Sequence, residues 1–386
     1  MKFNIWEDCP KVPITELLSF IVDNRGKTVP TANDGWKLIA TNCVTNNTLF
    51  PVYEKVRYLT QETYETWFRA HPMPGDILFV NKGTPGKVCM VPDPVDFCIA
   101  QDMIALRADD KKIYNKYLFA VLRSREIQQQ IYNTNVGDVI PHFKKQFMDQ
   151  LLIPVPDRKI QEKIGNLYYQ LSYKVELNKK INENLCDQMK AIYLHAKKSS
   201  IWNECKLGEI LTFYDHMRKP LSSRQREGMV RLYPYYGATS VVDYVDAYIF
   251  DGVYILISED GANVVDALGH PLIQYTYGKF WVNNHAHIVQ GNMFYSEALL
   301  FALLKTLNMS SIVTGAAQPK INQANLKDFC IVAPSNQEAM HLSNVLNPFL
   351  EQIIKNDLQN TILSNLRDTL LPRLMSGELD ISNLNI

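Results

Sequence analysis

The chain carries no surplus of either charge: 40 Lys and Arg balance 40 Asp and Glu over 386 residues. Any grip on a polyanion must therefore come from local clusters and not from the overall field. It also has no C-x-x-C pair. Its seven cysteines (Cys9, Cys43, Cys89, Cys98, Cys186, Cys205, Cys330) are scattered and odd in number, which argues against a disulfide frame or a zinc ribbon and points to a reducing cytosol. No apolar run approaches the roughly 20 residues that span a bilayer. The opening MKFNIWEDCPKV lacks the apolar core and cleavage signature of a secretory signal. The expected compartment is cytoplasmic. Catalytic signatures are missing as well: there is no G-x-G-x-x-G after a strand, no G-x-S-x-G elbow and no H-E-x-x-H. GTPGK at Gly83–Lys87 falls short of a phosphate-binding loop, because its glycines are too close and Val88 follows the lysine; it reads as a tight turn. His285 and His287 are two apart on an expected strand and so face one side, but a metal would need further ligands that the sequence does not supply. Neither a catalytic residue nor a metal ligand is expected.

What the chain does have is one long uninterrupted helix signal. Asp157 to Lys198 contains no proline and only Gly165, with strong helix formers almost throughout. Ile160, Ile164, Leu167, Leu171, Ile181, Leu185 and Ile192 follow a 4-3 spacing, with Lys174 and Asn178 as a polar layer in the same frame. That is a coiled-coil seam. A shift of 178 residues brings a second such segment, Gln337 to Met375, onto the first. Its frame runs Leu342, Val345, Phe349, Gln352, Asn356, Gln359, Leu363, Leu366, Leu370, and Asn356 falls on Asn178. The preceding residues also match, Gly137 with Gly315, Pro141 with Pro319, Ile153 with Ile331 and Pro156 with Pro334. The pattern is an internal two-fold repeat, each copy a globular domain followed by a long helix. The two helices are expected to pair antiparallel with their polar layers in register. Ile164, Leu171, Asn178, Leu185 and Ile192 would then meet Leu342, Phe349, Asn356, Leu363 and Leu370 along the seam.

The expected fold class is mixed α/β: globular domains at 1–155 and 201–335, long helices at 156–200 and 336–380, the last with a C-terminal tail. Within the first domain the pattern predicts a helix at Ile14–Val22, strands at Trp36–Ala40, Asp76–Val80, Lys87–Val91 and Phe97–Leu106, and a helix from Asn115. The second repeats that order: a helix at Lys206–Phe213, strands at Tyr248–Phe250, Val253–Ser258, Leu272–Tyr277 and His285–Val289, and a helix at Ser296–Leu307. Pro372 is expected to end or kink the last helix. Tyr168, Tyr169 and Tyr173 lie beside the seam frame, where they either pack on the neighbouring domain or form a docking surface.

The two domains share their order of elements, but their loops differ, as two reading heads for two targets would require. Arg218, Lys219, Arg224, Arg226 and Arg231 crowd one loop of the second domain, next to Tyr236. The first domain offers Arg25 and Lys27, then Asn81, Lys82, Thr84 and Lys87, and later His142, Lys144 and Lys145. Asn284 and Lys320 complete the candidate set. Arg and Lys neutralise phosphates, while Arg, Asn and Gln reach base edges. Taken together, the clusters point to double-stranded DNA.

IPVPDRKIQEKI followed by VELNKKINENL, GDILFVNKGTPG, YILISEDGAN, WVNNHAHIV and the ending LRDTLLPRLMSGELDI occur in an order that resembles the DNA-specificity (S) subunit of type I restriction–modification enzymes. The resemblance covers essentially the whole chain. It implies two target-recognition domains, each reading half of a bipartite DNA target, with spacer helices between them and an unread spacer in the DNA. It further implies two modification (methyltransferase) subunits carrying S-adenosylmethionine, and two restriction (motor–nuclease) subunits using ATP and Mg. No cofactor is expected in this chain, and it would itself be non-catalytic. A recognition subunit with its own methyltransferase or nuclease activity would need a cofactor-binding Gly loop and an Asn/Asp-Pro-Pro-aromatic motif, and the sequence has neither. A two-headed protein-binding scaffold is the other alternative, which salt-dependent DNA binding would separate.

Overall fold

The structure is a computed structural model that describes residues 3–24, 26, 28–99, 101–134, 141–315 and 317–380. Arg25, Lys27 and Gly137 lie outside the described residues. The chain divides into two units, Met1–Asn178 with Gln359–Ile386, and Lys179–Leu358. Each long helix gives one half to each unit.

The first unit holds β1 (Lys11–Pro13), β2 (Leu18–Val22), β3 (Trp36–Ile39), β4 (Arg57–Leu59), β5 (Ile77–Val80), β6 (Val88–Met90), β7 (Phe97–Ile99) and β8 (Met103–Ala108). Helices α1 (Asn115–Leu122) and α2 (Arg125–Asn133), strand β9 (Leu152–Pro154) and the long helix α3 (Arg158–Ser199) follow. One sheet runs β2-β8-β5-β6 and a smaller one β4-β3-β7, while β1 pairs with β9. β5 is buried at every residue because both faces of its sheet are covered. Ile77 and Phe79 point into the core shared with Leu118, Phe119 and Leu122 of α1. Leu78 and Val80 point the other way, into a cluster with Ile39 and Phe97 of the small sheet. The period of two thus gives one strand two cores.

The second unit repeats the plan. It comprises β10 (Asn203–Lys206), β11 (Leu211–Phe213), β12 (Tyr233–Tyr236), β13 (Val241–Val245), β14 (Phe250–Asp251), β15 (Tyr254–Ser258), β16 (Ile273–Thr276), β17 (Lys279–Val282) and β18 (Ala286–Gly291). Then come α4 (Glu297–Leu304), β19 (Cys330–Ala333) and the long helix α5 (Asn336–Met375). The sheets run β11-β18-β15-β16 and β13-β12-β17-β14, and β10 pairs with β19. Ile255 and Ile257 face the core of α4, whereas Leu256 meets Phe280 and Val282 of the small sheet. The fold is mixed α/β with an internal repeat, as the 178-residue shift implies.

Several local expectations give way. Ile14–Val22 is one 3-10 turn, Ile14–Leu17, followed by strand β2, and Lys206–Phe213 likewise splits into Leu207–Ile210 and β11. Short apolar runs satisfy both periods, and pairing with β8 and β18 decides for strand. Phe97–Leu106 is two strands, because the chain turns at Asp102 (φ 70°) and delivers β7 and β8 to different sheets. The helix from Asn115 breaks at Ser124, whose side chain accepts from Ile127 N and caps α2. Pro372 does not end α5, which runs on to Met375. Leu371, Leu374 and Met375 sit in the core of the first unit, and that burial outweighs one lost hydrogen bond in the last turn.

Within each unit the helix halves pair antiparallel. In the first, Asn178 meets Gln359 and Asn360, and Ile164, Tyr168 and Leu171 line one small cavity with Arg367, Leu370 and Leu374. In the second, Asn182 meets Asn356 and Asp357, and Met189 and Tyr193 share a core with Leu342 and Leu346. The buried row drifts one residue from the expected frame: Tyr168, Ser172, Val175 and Asn182 are buried, while Ile181, Val345 and Leu366 are exposed. Ile164, Asn178, Leu342 and Asn356 are buried, and Leu171, Leu185, Ile192, Phe349, Leu363 and Leu370 are half-buried at the row's margin. Tyr168 packs edge-on to Phe119, whereas Tyr173 is exposed and stacks on Tyr169.

At Gly165, α3 lies against the backbone of α1. A Cβ there would stand 2.5 Å from Tyr117 N, so only glycine fits. The matching position in α5 is Ser343, whose hydroxyl accepts from Ser296 N at 3.0 Å.

Candidate nucleic-acid interface

The same construction closes the open end of the central sheet in both units. In the first, Asn81 follows β5; its N–H donates to Asp102 O and its carbonyl accepts from Phe143 N, both at 2.8 Å. Lys82 and His142 then face each other in an antiparallel bridge. In the second, Glu259 follows β15, donating to His285 O at 2.9 Å and accepting from Ile321 N at 2.8 Å. Asp260 and Lys320 form the matching bridge. The residue pairs 81 and 259, 82 and 260, 142 and 320, and 143 and 321 all differ by 178. One backbone clamp therefore presents two different sets of side chains.

The first tip is a groove lined by Asp23, Lys82, Gln101, Asp102 and His142. Lys82 is half-exposed with its ammonium 4.0 Å from Asp102, and Thr84 and Lys144 are exposed while Lys87 is half-buried. Lys145 reaches Asp23 at 3.4 Å. Asn81 does not belong to the solvent-facing set: it is 0% exposed and its amide donates to Phe143 O. It holds the clamp closed. Gly83 and Gly86 take positive φ in the tight turn between β5 and β6.

The second tip is built on charge. Asp215 accepts from Ile288 N at 2.9 Å and from Gln323 at 2.8 Å, and lies 2.7 Å from His287 Nδ1. Arg218 donates to Glu259 and to Ala286 O, and Lys320 pairs with Glu259 at 3.0 Å. Burial pushes both carboxyls up, but the hydrogen bonds and neighbouring cations prevail. His287, Ile288 N and Arg218 hold Asp215 below the usual carboxylate range, and Arg218, His287 and Lys320 do the same for Glu259.

Donor atoms of Asp215, Glu259 and His287 lie within 4.8 Å of one another, a set that could hold a cation. His287 Nε2 faces Ile321 O at 2.8 Å while Nδ1 faces Asp215, and Arg218 and Lys320 already bring positive charge to the carboxylates. The cluster is an ion-pair network that ties four segments together. His285 does not join His287 there; it is exposed and pairs with Asp260. These carboxylates escaped sequence reasoning, although the 178-residue shift places Glu259 on Asn81.

The basic loop divides in two. Arg218 and Arg226 are withdrawn from the DNA-contact set, since each side chain is only about one-sixth exposed. Arg226 pairs with Asp243 at 3.1 Å and lies over the Tyr235 ring. Lys219, Arg224, Arg231 and Asn284 are exposed, with Arg224 on a single helical turn, Ser223–Arg226, capped by Ser222. Lys320 keeps nearly half its surface while paired. Tyr236 is half-buried, edge-on to Phe280.

The model of the type I restriction modification DNA specificity domain matches twice, over residues 11–186 and 200–366. A putative type I restriction enzyme specificity subunit of Haemophilus influenzae is 35% identical over 129 residues, 33% of this chain and 32% of that protein. The MjaIX type I restriction enzyme specificity subunit of Methanocaldococcus jannaschii is 20% identical over 312 residues, 70% of this chain and 71% of that one. The crystal structure of a type I restriction–modification S subunit from M. genitalium is similar in fold, with a TM-score of 0.53 and 18% identity, covering 97% of this chain and 98% of that one. Among the described residues no helix is long and apolar enough to cross a membrane.

Proposed function

This chain belongs to the type I restriction–modification DNA specificity family, and from that membership we propose that it reads a bipartite DNA target with an unread spacer. Each repeated domain reads one half. The observation that carries this reading is the shared clamp with unlike contents: Lys82 and His142 at one tip, Asp260 and Lys320 at the other. One scaffold with two chemistries suits an asymmetric target. Direct readout would come from side chains at these tips, and phosphate contacts from exposed basic residues such as Lys144, Arg224 and Arg231. Net neutrality confines such contacts to these patches.

In this reading the chain docks methyltransferase subunits and motor–nuclease subunits. S-adenosylmethionine, ATP and Mg then act on those partners, and this chain supplies selection and no catalysis. The test is methylome sequencing of a host expressing the chain with its neighbouring modification subunit, against a control lacking the chain. A new N6-methyladenine mark in a split, gapped motif is the expected result. No mark, despite a stable complex and an active modification subunit, overturns the proposal.

A further inference from the structure

The residue that opens each clamp donates its N–H to the residue just before the neighbouring strand of the central sheet. Asn81 donates to the carbonyl of Asp102, ahead of β8, at 2.8 Å, and Glu259 to that of His285, ahead of β18, at 2.9 Å. Asp102 and His285 therefore hold one structural place, although the 178-residue shift does not align them. The next residue along from the opener is Lys82 in the first tip and Asp260 in the second. Lys82 faces Asp102 across 4.0 Å. Asp260 Oδ1 faces His285 Nδ1 at 2.6 Å. The acidic and the basic partner have changed places.

The second pair is the more closely built. The His285 N–H donates to Asn283 Oδ1 at 2.8 Å while its carbonyl is held by Glu259, so its backbone is tied on both sides. The imidazole is the outer member of the pair, with its side chain 48% exposed against 18% for Asp260. A carboxylate only accepts, so the ring nitrogen it faces carries the hydrogen, and in the neutral ring that leaves Nε2 as an acceptor. Among the described residues, no hydrogen bond engages Nε2. An acceptor at a DNA-reading tip has few counterparts. Phosphate oxygens only accept, whereas adenine N6 and cytosine N4 donate from base edges in the major groove. Each of the four base-pair orientations places its one amine differently across that groove, so a fixed acceptor tells them apart.

We propose that His285 reads a base of the second half-site, accepting through Nε2 from the exocyclic amine of an adenine or cytosine. Asp260 is the positioning residue, which fixes the tautomer and direction of the ring. The inference rests on the split-target reading above and names a side chain that performs it. In the first tip the corresponding groups are the ammonium of Lys82 and the carboxylate of Asp102, both part-exposed. One half-site thus meets a donor beside an acceptor where the other meets a single acceptor, as an asymmetric target requires.

The experiment is methylome sequencing of hosts expressing the modification subunit with the unaltered chain, His285→Ala or Asp260→Asn. A half-exposed pair contributes little stability, so both variants are expected to melt as the unaltered chain does. His285→Ala is expected to make one position in one half of the motif degenerate, its base preference falling about tenfold, with the other half and the spacer unchanged. Asp260→Asn, whose amide can donate to Nδ1 and so admits the other tautomer, is expected to relax that same position. An unchanged motif in His285→Ala overturns the proposal. Uniformly weaker methylation of an intact motif also overturns it and makes His285 a backbone contact. Loss of the whole half-motif overturns it in favour of a structural role. Relaxation by His285→Ala and not by Asp260→Asn overturns the part given to Asp260. No split motif with the unaltered chain overturns the split-target reading as well.

Discussion

Asn178 Nδ2 donates to Asn360 Oδ1 at 2.9 Å, and the bond recurs 178 residues on, where Asn356 donates to Asn182 at 2.7 Å. Donor and acceptor change helices between the two copies, which is how a two-fold repeat looks from inside a helix pair. Buried amides can be satisfied in one alignment only, so they fix register at some cost in stability. Asn178→Ala is expected to leave Asn360 without its donor, lowering stability by about 1–3 kcal/mol. Replacing Asn178 and Asn360 together by leucine is expected to raise the urea midpoint instead. A lower midpoint for the double variant would show that the amides contribute net stability.

The basic loop makes a paired prediction. Arg224 is exposed, and Arg224→Ala is expected to weaken DNA binding and reduce the salt slope by about one, with folding unchanged. Arg218→Ala removes one cation from Asp215 and Glu259, which keep His287, Ile288 N, Gln323 and Lys320 as partners. It is expected to destabilise the second unit by about 1–3 kcal/mol. Denaturant unfolding and salt-dependent DNA titration of both variants separate the two roles. If Arg224→Ala kept full affinity, that loop would not face DNA.

How much of this was legible beforehand follows from what a sequence pattern measures. The 178-residue shift exposed the repeat because helix seams and proline positions leave periodic marks. The seam frame then drifted, burying Tyr168 and Asn182 where Leu167 and Ile181 were expected, because 3.6 residues per turn does not match a strict 3.5 repeat. β12 and β13 went unseen inside an Arg- and Tyr-rich stretch, since Arg226 and Tyr235 there pack with Asp243 in a way that composition does not announce. The two tips obey the same shift, yet Asn81 and Glu259 share no chemistry. Their likeness lies in backbone hydrogen bonds, which side chains do not encode.

Acid should loosen the second tip. Asp215 and Glu259 have carboxyl pKa values held below the ordinary range, so their charged forms stabilise the fold. That contribution is fully present above their unfolded values of about 4, and is lost as pH falls through the lower folded values. Glu297 and Asp357 are raised by burial and act in the opposite sense, so the whole-protein curve mixes signs. The informative measurement is the difference in stability between the unaltered chain and Asp215→Asn. That gap is expected to be widest near neutrality and to narrow below about pH 4. A gap that stays constant down to pH 2 would mean that the Asp215 charge does not stabilise the tip.

The helix pair offers the most direct test of the split-target reading. Each long helix contributes to both units, and each unit holds its own antiparallel stretch of seam. One heptad adds about 10.5 Å to a helix, close to three base pairs at about 3.4 Å each. Seven residues also return the seam to the same face, so the added turns remain paired if both helices receive them. A chain with one heptad inserted in α3 and one in α5 is therefore expected to recognise the same two half-sites with the spacer lengthened by about three base pairs. Insertion in one helix alone breaks the register of the Asn178 and Asn356 layers, and is expected to cost stability rather than shift the spacer. Methylation mapping with the modification subunit reads the spacer directly. An unchanged spacer in the doubly extended chain would rule out the helices as the element that sets it.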